Sequence, residues 1–317
     1  MNLDRHTKIW IAGSDTFLGS ALLRAFQRAG YTHCLGDPTG IDLTDPADVE
    51  MLLARFRPTV VLVAAGLSGG IGLNKHQPAN LMTHNLQMIT NILPAAHYFG
   101  VKRLLYFASS CIYPRECPMP AREEMLMTGP MEPTSEFYST AKLTGLKLCE
   151  AFHRQYGADF FGVIPTNLYG PQDVLDPERA HVVGALLNRI GWAKHMQLPE
   201  VQVWGTGNVR RELLHVDDAA EAAVLLTERY VGGKPVNIGG GEVYSVRELA
   251  KKIGEVVGYT GRLCFDTSRP DGAPYKALDG RILEELGWRP RRTLVEGLQE
   301  MWNHFLELLS GEQRKVA

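Results

Sequence analysis

The sequence predicts a doubly wound parallel α/β sheet followed by a smaller C-terminal α/β unit. Three observations predict it. Short apolar strands alternate with amphipathic helices through the first half of the chain. A glycine-rich turn joins the first strand to the first helix. The alternation then loosens after Pro165, where turn signals and longer loops set in. Strands that alternate with helices need right-handed crossovers, which build a parallel sheet.

Residues 8–12 are short and β-rich, and 18–28 carry apolar residues at helical spacing. Residues 31–35 read as a second strand. Asp45 reads as the cap of a helix running through Arg55, with Pro46 in the first helical position. A strand at 59–64 is apolar on both faces. A long helix at 78–98, a strand at 103–108, a long helix at 135–156 and a strand at 160–164 follow. Gly170-Pro171 opens a loop-rich stretch that ends in a helix at 182–194. A strand at 201–204, a helix at 217–228, a strand at 235–238 and helices at 246–257 and 295–309 complete the reading. Residues 1–170 with about 211–240 are expected to form the dinucleotide unit. About 171–210 with 241–317 are expected to form the substrate unit.

At 317 residues the chain can bury a large core without staples. Thirty-three basic and 35 acidic residues give a net charge of −2, which argues against a nucleic-acid binder held by phosphate neutralisation. The uncharged stretch 58–74 is shorter than the roughly 20 residues of a membrane span, and it contains Gly66, Gly69, Gly70 and Gly72. No signal peptide is expected from the first residues. The five cysteines lack CxxC spacing, so neither a zinc site nor a disulfide framework is expected, and a reduced cytoplasmic setting is. Cys34, Cys149 and Cys264 read as core residues. Cys117, beside Pro118, reads as an exposed loop residue.

Gly13-Ser-Asp-Thr16-Phe-Leu-Gly19 follows the first strand directly. Glycines there let backbone N–H groups reach a pyrophosphate at a helix N-terminus, the Rossmann-type arrangement. Thr16 either touches phosphate through its hydroxyl or narrows the site. Asp37 follows the second strand at the spacing of a ribose 2′-hydroxyl acceptor, or it is an ordinary turn aspartate before Pro38. Tyr138-Ser-Thr-Ala-Lys142 places a phenol and an ammonium on one helix face. The ammonium is expected to pull the tyrosine down from its usual value near 10. Ser109, at the end of the strand 103–108, adds a hydrogen-bonding group for a carbonyl oxygen.

In this order the glycine turn, the serine and YxxxK resemble the extended short-chain dehydrogenase/reductases. Within them, the GDP-L-fucose synthase family is resembled over nearly the whole chain. Its strongest segments are Ser109-Ser-Cys-Ile-Tyr-Pro114, Glu132-Pro-Thr-Ser-Glu-Phe-Tyr138 through Lys142, Pro165-Thr-Asn-Leu-Tyr-Gly-Pro171, Val203-Trp-Gly-Thr-Gly207, Arg211-Glu-Leu-Leu-His-Val-Asp-Asp218 and Arg269-Pro-Asp-Gly272. The resemblance implies a reductase triad of Ser109, Tyr138 and Lys142, and an epimerase acid/base pair of Cys111 and His181. It implies cofactor contacts at Gly13, Asp15, Thr16, Phe17, Leu18, Gly19, Asp37, Ala64, Ala65, Gly66, Pro165, Asn167, Leu168 and His181, with Tyr138 and Lys142. For the nucleotide sugar it implies Ser109, Ser110, Cys111, Asn167, Leu168, Arg189, Trp204, Arg211, Asp271 and Lys276. The implied substrate is a GDP-linked 4-keto-deoxy sugar, and the implied assembly is a homodimer paired through the helices 78–98 and 135–156.

A ketone at C4 acidifies the C3 and C5 hydrogens, so epimerisation needs a base on one face and an acid on the other. A thiolate serves as base when a cation lowers its pKa, and histidine donates protons near neutrality. The family's cofactor is NADP(H), yet no arginine stands at the first turn or after the second strand. Asp15 and Asp37 stand there instead and suggest NAD(H). Asn188 precedes Arg189 where an arginine pair is usual, Arg179 and Ala180 precede His181, and Tyr275 replaces a common charge. The sugar is therefore open at this stage. The alternatives are another nucleotide-sugar 4-epimerase or 4-reductase, or a non-catalytic cofactor binder. An intact Ser109/Tyr138/Lys142 set argues against the last, and the Cys111/His181 pair against a simple 4-epimerase.

Overall fold

The computed structural model describes residues 3–176, 180–269 and 271–316. The first half of the chain runs β1 (Ile9–Ala12), α1 (Phe17–Arg28), β2 (Cys34–Leu35), α2 (Pro46–Phe56), β3 (Val60–Val63), α3 (Ile71–His76), α4 (Pro78–Tyr98), β4 (Arg103–Phe107), α5 (Glu136–Tyr156) and β5 (Asp159–Pro165). The second half runs β6 (Asn167–Tyr169), α6 (Val182–His195), β7 (Glu200–Trp204), β8 (Arg210–His215), α7 (Val216–Arg229), β9 (Val236–Ile238), β10 (Glu242–Ser245), α8 (Val246–Val257), β11 (Arg262–Asp266), β12 (Tyr275–Lys276), α9 (Arg281–Glu285) and α10 (Leu294–Val316).

Six parallel strands form the main sheet in the order β2-β1-β3-β4-β5-β9. Alternate side chains of one strand feed opposite faces. Trp10 and Ala12 join the core beneath α2, α4 and α5, while Ile9 and Ile11 join the core beneath α1 and α7. Helices cover both faces, which is why β1 and β3 are buried at every position. β8 pairs with β6, β10 and β12 in a second sheet, and β7 pairs with β11. A third core lies among α6, α8 and α10.

Local chemistry explains the element ends. Asp45 accepts a hydrogen bond from the Ala47 N–H at 2.8 Å and caps α2 behind Pro46. Ser245 and Glu248 close a capping box on α8. The strand expected at 31–35 shrinks to Cys34–Leu35. The Tyr31 and Thr32 N–H groups bond to Phe26 and Arg5 carbonyls instead, and the Tyr31 ring packs beside Phe26 at 5.4 Å. Among the cysteines only Cys149 is fully buried. Cys34 and Cys264 are half-buried rather than core, and Cys117 packs partly against the core rather than lying exposed. All five thiols are free. Among the described residues no helix is long and apolar enough to cross a membrane, and no cluster of metal-ligating side chains occurs.

Arg103, on β4, is 1% exposed. It donates to Asp159 Oδ2 at 2.7 Å and to the Thr227 and Tyr230 carbonyls at 2.5 and 2.9 Å. It therefore ties β4 and β5 to the end of α7. Arg103→Met leaves those carbonyls and the carboxylate without their donor. Chemical denaturation should show a loss of roughly 3 kcal/mol, and an unchanged midpoint would contradict the tie.

Candidate active site

The β1–α1 turn is bare backbone by necessity. Gly13 sits at φ +83°, and a Cβ there would fall 2.4 Å from the Ala65 nitrogen. A Cβ on Gly19 would fall 1.9 Å from the Gly13 oxygen. Phe17 and Leu18 open α1, where first-turn N–H groups lack helical acceptors, so the turn suits a diphosphate. Thr16 neither reaches out to phosphate nor narrows the site with a free hydroxyl. Its Oγ1 donates to the Gly13 carbonyl at 2.6 Å and accepts from Gly19 N–H at 3.0 Å, capping α1. Asp37 is similarly turned inward. It accepts from Trp10 Nε1 at 3.0 Å and from the Gly13 and Ser14 N–H groups at 2.5 and 3.0 Å. This tether was not visible in the spacing. Asp15 stays exposed and adds like-charge repulsion to Asp37. A dinucleotide fits this cradle, continued by Ala64, Ala65 and Gly66 after β3 and by Pro165 at the end of β5. A Cβ on Gly66 would lie 3.0 Å from Lys142 Nζ.

At the end of β4 the chain enters a single 3₁₀ turn, Ser110–Ile112, capped by Ser109. The turn presents Ser109 and Cys111, while Ser110 is 5% exposed. Tyr138 rises from the first turn of α5 beside them. Ser109 Oγ accepts from the Cys111 N–H at 3.3 Å and lies near enough to favour the ionised forms of both the Tyr138 phenol and the Cys111 thiol. Burial and the nearby Cys111 charge push Tyr138 above its usual value, with Ser109 opposing. The expected lowering by Lys142 is absent. Lys142 Nζ donates to the Phe107 carbonyl at 3.0 Å, and burial brings its own pKa down to about 8. Tyr138 is thus a protonated phenol at neutral pH, the state a proton donor requires.

Lys276 Nζ lies 3.3 Å from Cys111 Sγ. Burial pushes the Cys111 thiol up, but the Lys276 ammonium, the Ser109 hydrogen bond and the Arg211 guanidinium outweigh it and leave the thiol below its ordinary value. His181 occupies the N-cap position of α6 without a capping side-chain hydrogen bond and is exposed at the surface. Surrounding protein, then Lys276, lower its imidazole. One ammonium therefore acts on both members of the expected acid/base pair.

Beyond the reacting groups, the Arg189 guanidinium stacks on Trp204 at 4.0 Å and Arg269 lies 4.9 Å from the same ring. Arg211 is held against the backbone, Nη1 on the Arg210 carbonyl at 2.8 Å. Two expected contacts are engaged elsewhere. Both Asp271 oxygens accept from Thr206, N–H and hydroxyl at 2.8 Å each, holding the Gly205–Gly207 turn. Asn167 Nδ2 donates to the Glu212 carbonyl at 2.9 Å, and Leu168 packs partly into the core. His215 is structural: at 1% exposure it caps α7 through Asp217 N–H and meets Glu300 at 3.3 Å. Arg179 and Pro270 lie outside the described residues.

Residues 9–239 match the NAD dependent epimerase/dehydratase family. The chain is 44% identical over 305 residues to GDP-L-fucose synthase 1 of Arabidopsis thaliana, covering 96% of this chain and 94% of the relative. It is 41% identical over 310 residues to GDP-L-fucose synthase of Escherichia coli strain K12, covering 95% and 97%. The chain belongs to the GDP-L-fucose synthase family. The crystal structure of a GDP-L-fucose synthetase from Naegleria fowleri bound to NADP superposes with a TM-score of 0.87 at 26% identity, covering 98% of this chain and 96% of that one. The fold class is thereby shown, a Rossmann-type sheet with a smaller mixed C-terminal unit.

Lys276, 3.3 Å from the Cys111 sulfur, is the charge that most favours the ionised form of that thiol. Lys276→Met removes it. The pH profile of Cys111 alkylation should move up by about one unit, so that thiolate at neutral pH falls about tenfold. An unmoved profile would show that another group sets the thiol.

Proposed function

We propose that this chain is an epimerase and reductase of a GDP-linked 4-keto-6-deoxyhexose, acting as a GDP-L-fucose synthase: inversion at C3 and C5, then reduction at C4. The observation that carries the reading is the linked set Tyr138, Ser109, Cys111, Lys276 and His181. A simple 4-reductase needs only the tyrosine end of that set. The thiolate end supports proton exchange as well.

In this reading the Cys111 thiolate takes a proton from carbon alpha to the ketone, and His181 returns one from the other face. The Lys276 charge makes the His181 imidazolium a stronger acid. Ser109 and Tyr138 hold the enolate oxygen, and the same two groups later hold the C4 alkoxide, to which Tyr138 gives its proton. A bound nicotinamide dinucleotide supplies the hydride. Arg211 and Arg189 offer charge and a planar fork for the diphosphate. Residues up to 170 with about 211–240 carry the dinucleotide, and about 171–210 with 241–317 the nucleotide sugar. The long helices α4 and α5 pair two copies in a reduced cytoplasm.

We assign NAD(H) as the preferred cofactor. Asp37 and Asp15 place two carboxylates at the β1–α1 turn, where a 2′-phosphate would meet repulsion, and no arginine stands in either segment.

One experiment tests both parts. The protein is incubated with GDP-4-keto-6-deoxymannose and either NADH or NADPH, and products are read by NMR. GDP-L-fucose should form, with the larger kcat/KM for NADH. A product reduced at C4 with C3 and C5 unchanged overturns the epimerase assignment. A strong NADPH preference overturns the cofactor assignment alone.

A further inference from the structure

We propose that Glu212 is a positioning residue that holds Lys276 against Cys111. The proposal rests on the reading of Cys111 as a thiolate base and extends it to the residue that keeps the activating charge in place.

Glu212 is 2% exposed, and among the described residues no cation forms an ion pair with it. A buried carboxylate without a counterion is expensive unless its lone pairs are filled. Here backbone donors fill them. Oε1 accepts from the Gly240 and Gly241 N–H groups at 2.6 and 2.9 Å, and Oε2 accepts from the Leu278 N–H at 2.7 Å. One side chain of β8 thus fixes the β9–β10 turn and the chain just past β12.

That second anchor matters because β12 is two residues long. It pairs only with β8, Tyr275 beside Arg210 and Lys276 beside Arg211. So short a strand has few pairings of its own to hold Lys276 in place. Two clamps hold the chain just beyond it. Ala121 N–H donates to the Ala277 carbonyl at 2.8 Å, and Leu278 N–H donates to Glu212. The fit behind Leu278 is close: a Cβ on Gly239 would lie 2.8 Å from Leu278 Cβ. With residues 277 and 278 clamped, the backbone at Lys276 is held where its Nζ meets Cys111 Sγ at 3.3 Å. The Glu212 carboxylate bonds to backbone N–H groups and not to the thiol, so it acts through Lys276.

The test reads the thiol, not turnover, and needs no nucleotide sugar. The alkylation rate of Cys111 is measured against pH in wild type, Glu212→Gln, Lys276→Met and the double variant. Glu212→Gln should move the midpoint up by about half a unit to one unit, a threefold to tenfold loss of thiolate at neutral pH. In the Lys276→Met background the same substitution should add nothing, because its route to Cys111 is already gone. A purely structural role would give equal shifts in both backgrounds or none in either, and each result overturns the proposal. If Glu212→Gln does not fold, amide exchange in the wild-type chain decides. Leu278, Gly240 and Gly241 amides should exchange slowly, and fast exchange at Leu278 overturns the clamp. Failure of the proposed enzymatic function leaves these thiol readings untouched.

Discussion

The site depends on one ammonium. A thiol in the interior is ordinarily a small inert hydrophobe, and burial alone would keep Cys111 protonated. Lys276 at 3.3 Å reverses that balance. The two residues stand 165 positions apart in the chain, so the pair exists only because the second sheet lays β12 alongside β8 at the mouth of the first. His181 feels the same charge. Lys276 therefore lowers both groups, which makes a Cys111 thiolate more available and a His181 imidazolium more acidic.

In the proposed reading, Ser109 joins the exchange centre to the reduction centre. It caps the 3₁₀ turn that follows β4, and its hydroxyl serves both Cys111 and Tyr138. An enolate oxygen and a C4 alkoxide are the same atom at two stages, so one pair of donors can stabilise both. The protonated state of Tyr138 suits the reductive direction. The surrounding glycines serve this economy of space. Gly13, Gly19 and Gly66 each leave no room for a side chain between strand ends and the neighbouring backbone or lysine.

The main sheet was legible because its strands are apolar on both faces and its helices keep clean periodicity. α4 and α8 fall on their expected bounds. β2 was not, because turn hydrogen bonds compete for residues 31–32. Strands of two to six residues, such as β6, β8 and β12, carry too little pattern to read. At the site, motif chemistry named Ser109, Tyr138, Cys111, His181 and Lys276 as candidates. It did not show the intramolecular bonds of Lys142, Thr16, Asp37 and Asp271, because each bonds to a backbone group or side chain whose position no motif encodes. Glu212 was invisible for the same reason. Its partners lie 28 to 66 residues away, and nothing in Arg-Glu-Leu-Leu-His marks its carboxylate as buried.

The central claim is that Cys111 removes protons from carbon before any hydride moves. Hydrogen isotope wash-in measures that step alone. GDP-4-keto-6-deoxymannose is held in deuterium oxide with the oxidised cofactor only, and the sugar is followed by NMR. Wild type should place deuterium at C3 and C5, and Cys111→Ser should leave both positions as hydrogen. Equal exchange by the serine variant, or none by wild type, would contradict the account.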